Sequence, residues 1–461
     1  MDLRFGEESR VEKYPIQMVP LLMREEGNEE YEPKVVSLGP YHHGKEKLKF
    51  VEDFKPTALQ MFIGNSSKGY GDLLSEVLRN IGYAKSCYLQ EYTSIYTDEE
   101  FARMMILDAC VILNNIGLSS TEESVNQAKT INHLGTPVYT SIRRDMYLLE
   151  NQVPFRILEM LVWLRDGTPR HAFVKHIENF CFRMFFHDKE GNFEEANHTN
   201  DHNKQYHLHL VGILRSVITT VHDHEPKSNN DHGCYDINNL ESCLDNSGCC
   251  GSKDDDGMGQ RGLYVFRSVT DLKSKGIKSR GSGIPSLKGV RFSPTELCRP
   301  AKLKLPLLHV DMYTRVFFKN MIAYEFSPNV YINDKCVTAY VSFMKLLVVS
   351  KMDVKELREN KIIINSLGSD EEVVQLFNAL NTYGAEDNSS FWQVKRDVED
   401  HYNSKAKTWI ADLGNMYFSN PWSIIALAGS IFLLCLDIVQ TYYSVNSNNA
   451  AADQSSSKRG L

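Results

Sequence analysis

The 461-residue sequence lacks most of the short motifs that announce a chemistry. It holds no G-x-S-x-G nucleophile elbow, no phosphate-cradling P-loop and no H-E-x-x-H zinc helix. No C-x2-C pair occurs among its ten cysteines, so the usual zinc-ribbon and redox spacings are absent. No long basic block occurs, and the net charge is −8. Both argue against nucleic acid as a main partner, because phosphate binding needs a basic surface. The first 25 residues hold no apolar run of signal-peptide length. No internal repeat is visible. GMGQRG (257–262) matches G-x-G-x-x-G in letters only. It precedes the strand-like LYVF instead of following a strand and opening a helix, so the dinucleotide reading fails.

What is present is ordinary globular composition, 42% hydrophobic and 24% charged. Most of the chain has helical spacing. Phe101, Met104, Met105, Val111 and Ile112 form one apolar stripe. Ile142, Met146, Leu149, Val153, Ile157, Leu161 and Leu164 form another, and Val337, Tyr340, Val341, Met344, Leu347 and Val348 a third. Further helices are expected at 70–92, 172–186, 206–221, 313–325, 370–381 and 391–411. Short strand-like runs fall at Lys34–Leu38, Leu263–Phe266, Val290–Ser293 and Lys302–Val310, the last placed at an edge by Pro306. The fold class expected is mainly α: a large helical domain over 1–412 with a small accessory sheet. A polar, acidic, Gly-rich stretch at 222–262 reads as a surface insertion.

The C-terminal region suggests one transmembrane helix over 420–445. Trp422 to Val445 is long enough to cross roughly 30 Å of hydrocarbon. Trp422, Tyr442 and Tyr443 suit interfacial belts. Asp437 dissents, since a mid-span Asp costs roughly 2.5–3.5 kcal/mol. The expectation is a single-pass protein of the plasma membrane, with the bilayer as a partner, a polar tail at 446–461 and the large domain in the cytosol.

Several polar residues attract a functional reading. Asp108 falls on the apolar stripe of its helix, where a carboxylate needs a partner or a proton. It is expected to be a buried, hydrogen-bonded joint between two helices, or else a tuned acid or base. In DMYLLENQVPF (145–155), Pro154 interrupts the helix, and Glu150, Asn151 and Gln152 stand beside the break, with Asp145 one turn earlier. They can satisfy freed backbone groups or form a polar pocket, the first being favoured. In VVSLGPYHHG (35–44), His42 and His43 occupy a tight connection after Gly39-Pro40. Adjacent side chains on extended backbone point oppositely, so one metal cannot take both easily. One is expected to face the core and bond a backbone group. His232, Cys234, Cys243, Cys249 and Cys250 lie together in the insertion, with His222 and His224 nearby. They are binding candidates. Zinc, local disulfides and a solvated loop are the three readings, the loop favoured; no cofactor or metal is expected.

Six segments taken together resemble one family: VSLGPYHHG (36–44), FARMMILDAC (101–110), DMYLLENQVPF (145–155), KLPLLHVDMYTRVFFKNMIAYE (304–325), the run from Val337 to Leu380, and YFSNPWSIIALAGSIFLLCLDIVQTYYS (417–444). Their order and spacing resemble the plant family called domain of unknown function 247, over roughly 11–446. The resemblance implies plant proteins with a C-terminal membrane helix and no established enzymatic activity. It also implies an association of some grass members with self-incompatibility. The insertion at 222–262 and Asp437 depart from the family pattern. The leading expectation is therefore a membrane-anchored recognition or scaffold protein acting through an unknown protein partner. The alternative is an enzyme built on Asp108, Glu150 and His43.

Overall fold

The computed structural model describes residues 16–186, 209–220, 267–295, 300–327, 335–384, 391–404, 425–426 and 429–443, with breaks at 26, 65 and 118–119. The organising element is the helix Asp98–Ile116. Thr97 starts it with a capping box: its hydroxyl accepts the Glu100 N–H at 3.2 Å, and the Glu100 carboxylate accepts the Thr97 N–H at 2.9 Å. Gly117 ends it at φ 62°. Between Phe101 and Ile116 only Arg103 is exposed. A helix apolar on nearly every side belongs in the interior. Here the helices Lys55–Ile63, Tyr70–Arg79, Ser120–Leu134 and Phe155–Asp166 surround it.

The expected break near Pro154 is real. One helix runs Thr136–Asp145, a turn covers 146–154, and the next helix begins at Phe155. Helices Arg170–Phe186, Leu210–Thr219, Thr314–Glu325 and Cys336–Leu347 pack the remaining core. The buried Glu325 joins the last two. It accepts the N–H groups of Val337 and Thr338, at 3.0 and 2.9 Å, at the first turn of the helix Cys336–Leu347.

Strands are few. β1 (Lys278–Gly281), β2 (Arg291–Ser293) and β3 (Lys302–Leu305) form one sheet in the order β1-β3-β2; β4 (Leu308–Val310) and β5 (Ile363–Asn365) form a parallel pair. Pro306 splits the run expected at Lys302–Val310 into two strands. It does not put β3 at an edge, because β3 is the central strand and Pro306 lies past its end. Lys34–Leu38 is not a strand. Its backbone is paired by side chains, described below. Leu263–Phe266 and the insertion 222–262 lie outside the described residues.

The C-terminal expectation is overturned. Among the described residues no helix is long and apolar enough to cross a membrane. The described helical stretch 429–443 is exposed along its length. It also carries Asp437, Gln440 and Thr441. The single-pass anchor, and the plasma-membrane placement drawn from it, are withdrawn.

Candidate functional site

Residues 34–39 thread between the helices with bends at Lys34, Val35 and Gly39, and side chains of other elements pair their backbone. The N–H groups of Lys34, Val35 and Val36 all donate to Asp145 Oδ2, at 2.9, 2.8 and 3.2 Å. Leu38 N–H donates to Asn151 Oδ1 and Gly39 N–H to Asp108 Oδ2, both at 2.7 Å. Asn151 Nδ2 returns a bond to the Val36 carbonyl at 3.1 Å, and Lys55 Nζ reaches the Ser37 carbonyl at 2.8 Å. A buried backbone must place its polar groups somewhere, and here three side chains accept five amides. Gly39 is required at the end of this segment. It sits at φ 83°, and a Cβ there would lie 2.6 Å from the Gln152 carbonyl oxygen.

Such carboxylates are tolerated in the core because each has a buried cation. Asp108 meets Lys55 at 2.5 Å, their side chains 0% and 1% exposed. Lys55 also meets Glu52 at 2.5 Å. Asp145 meets Arg144 at 2.6 Å, and Arg144 also holds the carbonyls of Glu32 and Glu29, at 3.0 and 2.8 Å. Burial pushes both carboxyls above the ordinary range. For Asp108 the charge of Lys55 opposes the rise and that of Glu52 adds to it. For Asp145 the Val35 N–H and the Arg144 charge oppose it.

The residues beside the helix break serve it. Gln152 Nε2 donates to the carbonyls of Met146 and Leu148 at 2.7 and 2.8 Å, and Asn151 Nδ2 to that of Asp145 at 3.0 Å. Glu150 turns the other way. Its Oε1 accepts the Val19 N–H at 2.6 Å, and its Oε2 accepts from the Arg24 guanidinium. Both donors lie in the N-terminal segment around the short helix Leu21–Glu25.

Glu150 is thereby brought to a cleft of about 650 Å³, whose lining includes Met18, Leu21, Arg24, Glu32, His42 and Lys45. His42 is 3% exposed at its floor. Its Nδ1 lies 2.8 Å from Lys45 Nζ. An ammonium can only donate, so Nδ1 accepts and the ring proton is assigned to Nε2. That nitrogen is buried without a hydrogen bond, 3.4 Å from Glu150 Oε2. Glu32 closes the ring of charge, 2.8 Å from Lys45 and 3.1 Å from Arg24. Burial alone would raise the Glu32 carboxyl. The hydrogen bonds from Lys45 and Arg24, with the Lys45 charge, outweigh it and bring it to about 2. A depressed carboxylate contributes stability that is present above the unfolded value and lost as pH falls. Acid titration from pH 4.5 towards 2 should therefore destabilise the wild type, and Glu32→Gln should flatten that part of the stability-versus-pH curve. Equal slopes in the two proteins would remove Glu32 from the account.

The expected residues thus divide. His42 and Glu150 meet in the cleft. Asp108, Asp145, Asn151 and Gln152 are buried supports of the chain around it. His43 diverges from His42, a third exposed, 3.8 Å from Glu52 and edge-on to Tyr96. Of the Asp108, Glu150 and His43 trio, only Glu150 lines the cleft. His42 does face the core as expected of one of the pair, but its partners are side chains and not a backbone group. His232, Cys234, Cys243, Cys249, Cys250 and Trp422 lie outside the described residues; Asp437, Tyr442 and Tyr443 lie on the exposed stretch 429–443. Among the described residues no group of three His, Cys, Asp or Glu side chains could hold a metal ion. Sequence reasoning missed Arg24, Glu32, Lys55 and Arg144. The one available signal was indirect: a carboxylate on an apolar stripe demands a buried cation somewhere.

The family described as DUF247, plant protein of unknown function, matches residues 16–436. The UPF0481 protein At3g47200 of Arabidopsis thaliana is 27% identical over 90% of this chain and 83% of its own length. The putative UPF0481 protein At3g02645 of the same plant is 25% identical over 39% of this chain and 33% of its own. No solved structure matches.

Proposed function

The chain belongs to the DUF247 family of plant proteins, and we propose that it acts as a recognition protein that holds a protein partner at the cleft over His42. The observation that carries this reading is the pairing of an apolar rim with a floor whose carboxylates are already engaged. Leu21 and Leu22 stand 80% and 63% exposed on the short helix at the cleft. Leucines left in water beside a concave polar site suit a protein interface better than a small polar substrate. The floor charges are already engaged: Glu150 by Val19 and Arg24, Glu32 by Lys45 and Arg24. An enzyme built on Asp108, Glu150 and His43 draws no support from this geometry, because the three do not share the cleft.

A photo-crosslinking residue at position 22, introduced into the full chain in plant cells, tests the proposal. One reproducible protein adduct is expected, and it should vanish when Leu21→Asp is added. The same residue at Arg79, 70% exposed in its side chain, should not give that adduct. No adduct at position 22, or one insensitive to Leu21→Asp, would contradict a partner at this cleft.

A further inference from the structure

The three-stranded sheet turns an apolar face to the core and a cationic face outward. Ser279, Leu303 and Leu305 point inward, none more than 3% exposed, and Phe292 packs against the same core. The alternate positions are Lys278 and Arg280 on β1, Arg291 on β2, and Lys302 and Lys304 on β3. Lys278, Arg280 and Arg291 are exposed; Lys302 and Lys304 are half-buried. The register aligns these charges. Lys302 lies opposite Lys278, and Lys304 lies between Arg280 and Arg291. The face is therefore two cross-strand rows of cations, one of two and one of three.

Like charges directly opposite each other destabilise a sheet. No carboxylate relieves these five among the described residues. Arg280 donates to the Asn360 amide oxygen at 2.9 Å, and Arg291 to the carbonyls of Lys288 and Val290 at 2.6 and 2.9 Å. Those acceptors are neutral and leave the charge in place. Glu356, which bonds Asn360, is itself paired with Lys273 at 2.5 Å. A basic composition does not account for the patch either, since the chain carries −8 overall.

We propose that this face docks an acidic, extended segment of a partner protein, a second surface independent of the His42 cleft. Lys302 and Lys304 are two residues apart on β3, so their side chains repeat at roughly 6.6–6.8 Å. An extended peptide presents alternate side chains at the same repeat, so carboxylates at i and i+2 meet successive rows. A short acidic segment also feels mainly the local positive field, whereas a long polyphosphate is repelled by the rest of an acidic chain.

The test uses the full chain and a labelled peptide of alternating glutamate and serine, followed by fluorescence anisotropy. Saturable binding that weakens as salt rises is expected. The triple variant Lys278→Ser, Lys302→Ser, Lys304→Ser should bind about tenfold more weakly. It should also melt no lower than wild type, because it removes opposed like charges; this separates lost binding from lost folding. No binding, equal binding by the variant, or equally tight binding of a single-stranded RNA of the same charge would overturn the proposal. Binding that appears only after deletion of 222–262 would assign the face to the chain's own acidic stretch, and would equally overturn a partner in trans.

Discussion

Asp145→Ala should destabilise the chain by about 3–5 kcal/mol, the cost of leaving a buried cation without its counter-charge. Arg144, 2% exposed, would keep its position with no carboxylate opposite. Three amides, Lys34, Val35 and Val36, would lose their acceptor in the same change. Each such loss adds about 1–3 kcal/mol where water cannot replace the bond. Against a total of about 5–15 kcal/mol for a folded domain, this single substitution brings the chain to the edge of unfolding. Asp145→Asn keeps an oxygen for the amides but not the charge, so its loss should be smaller. Urea unfolding of the three proteins measures both. Two variants that unfold at the wild-type midpoint would show that Asp145 supports nothing.

The second large effect lies at Asp108 and Lys55. Lys55→Met should cost about 3–5 kcal/mol, because it leaves Asp108 buried without its cation, and Asp108→Asn should cost less, because Glu52 still pairs Lys55. The double variant should cost less than the two together by about 2–3 kcal/mol, as expected of groups in direct contact. Strict additivity would mean that the two charges do not interact, and would contradict the geometry. The coupling also bears on the enzyme reading. A pair whose energetics are those of a structural ion pair is a joint between a helix and the 34–39 segment, and need not be a tuned acid.

Much of this architecture was legible in the sequence, for identifiable reasons. The stripe through Phe101, Met104, Met105, Val111 and Ile112 placed the central helix, and Asp108 on that stripe had to be buried. Pro154 marked the helix break, and Asn151 and Gln152 beside it do satisfy freed carbonyls. The segment 34–38 was misread because VVSL has strand composition, and composition does not say what will pair with the backbone. Its partners are Asp145, Asn151 and Asp108, separated from it by 69 to 115 residues. The cations were missed for a related reason: Lys55 and Arg144 look like surface residues until a buried carboxylate is placed beside them. The cationic sheet face was hidden because it depends on register. Lys302 and Lys304 are two ordinary lysines until β1 and β2 bring three more cations alongside. The C-terminal reading erred in treating an apolar run as sufficient. The run includes Asp437, and among the described residues no helix is long and apolar enough to cross a membrane.

Buried side chains, and no strand or helix partner, pair five amides of residues 34–39 beside His42. Amide hydrogen exchange at Val35, Val36, Leu38 and Gly39 tests it most directly. Protection close to that of the helix Asp98–Ile116 is expected in the wild type. In Asp145→Asn, protection should fall first at Val35 and Val36, while Gly39, held by Asp108, stays slow. Rapid exchange at all four amides in the wild type, with the central helix still protected, would contradict it.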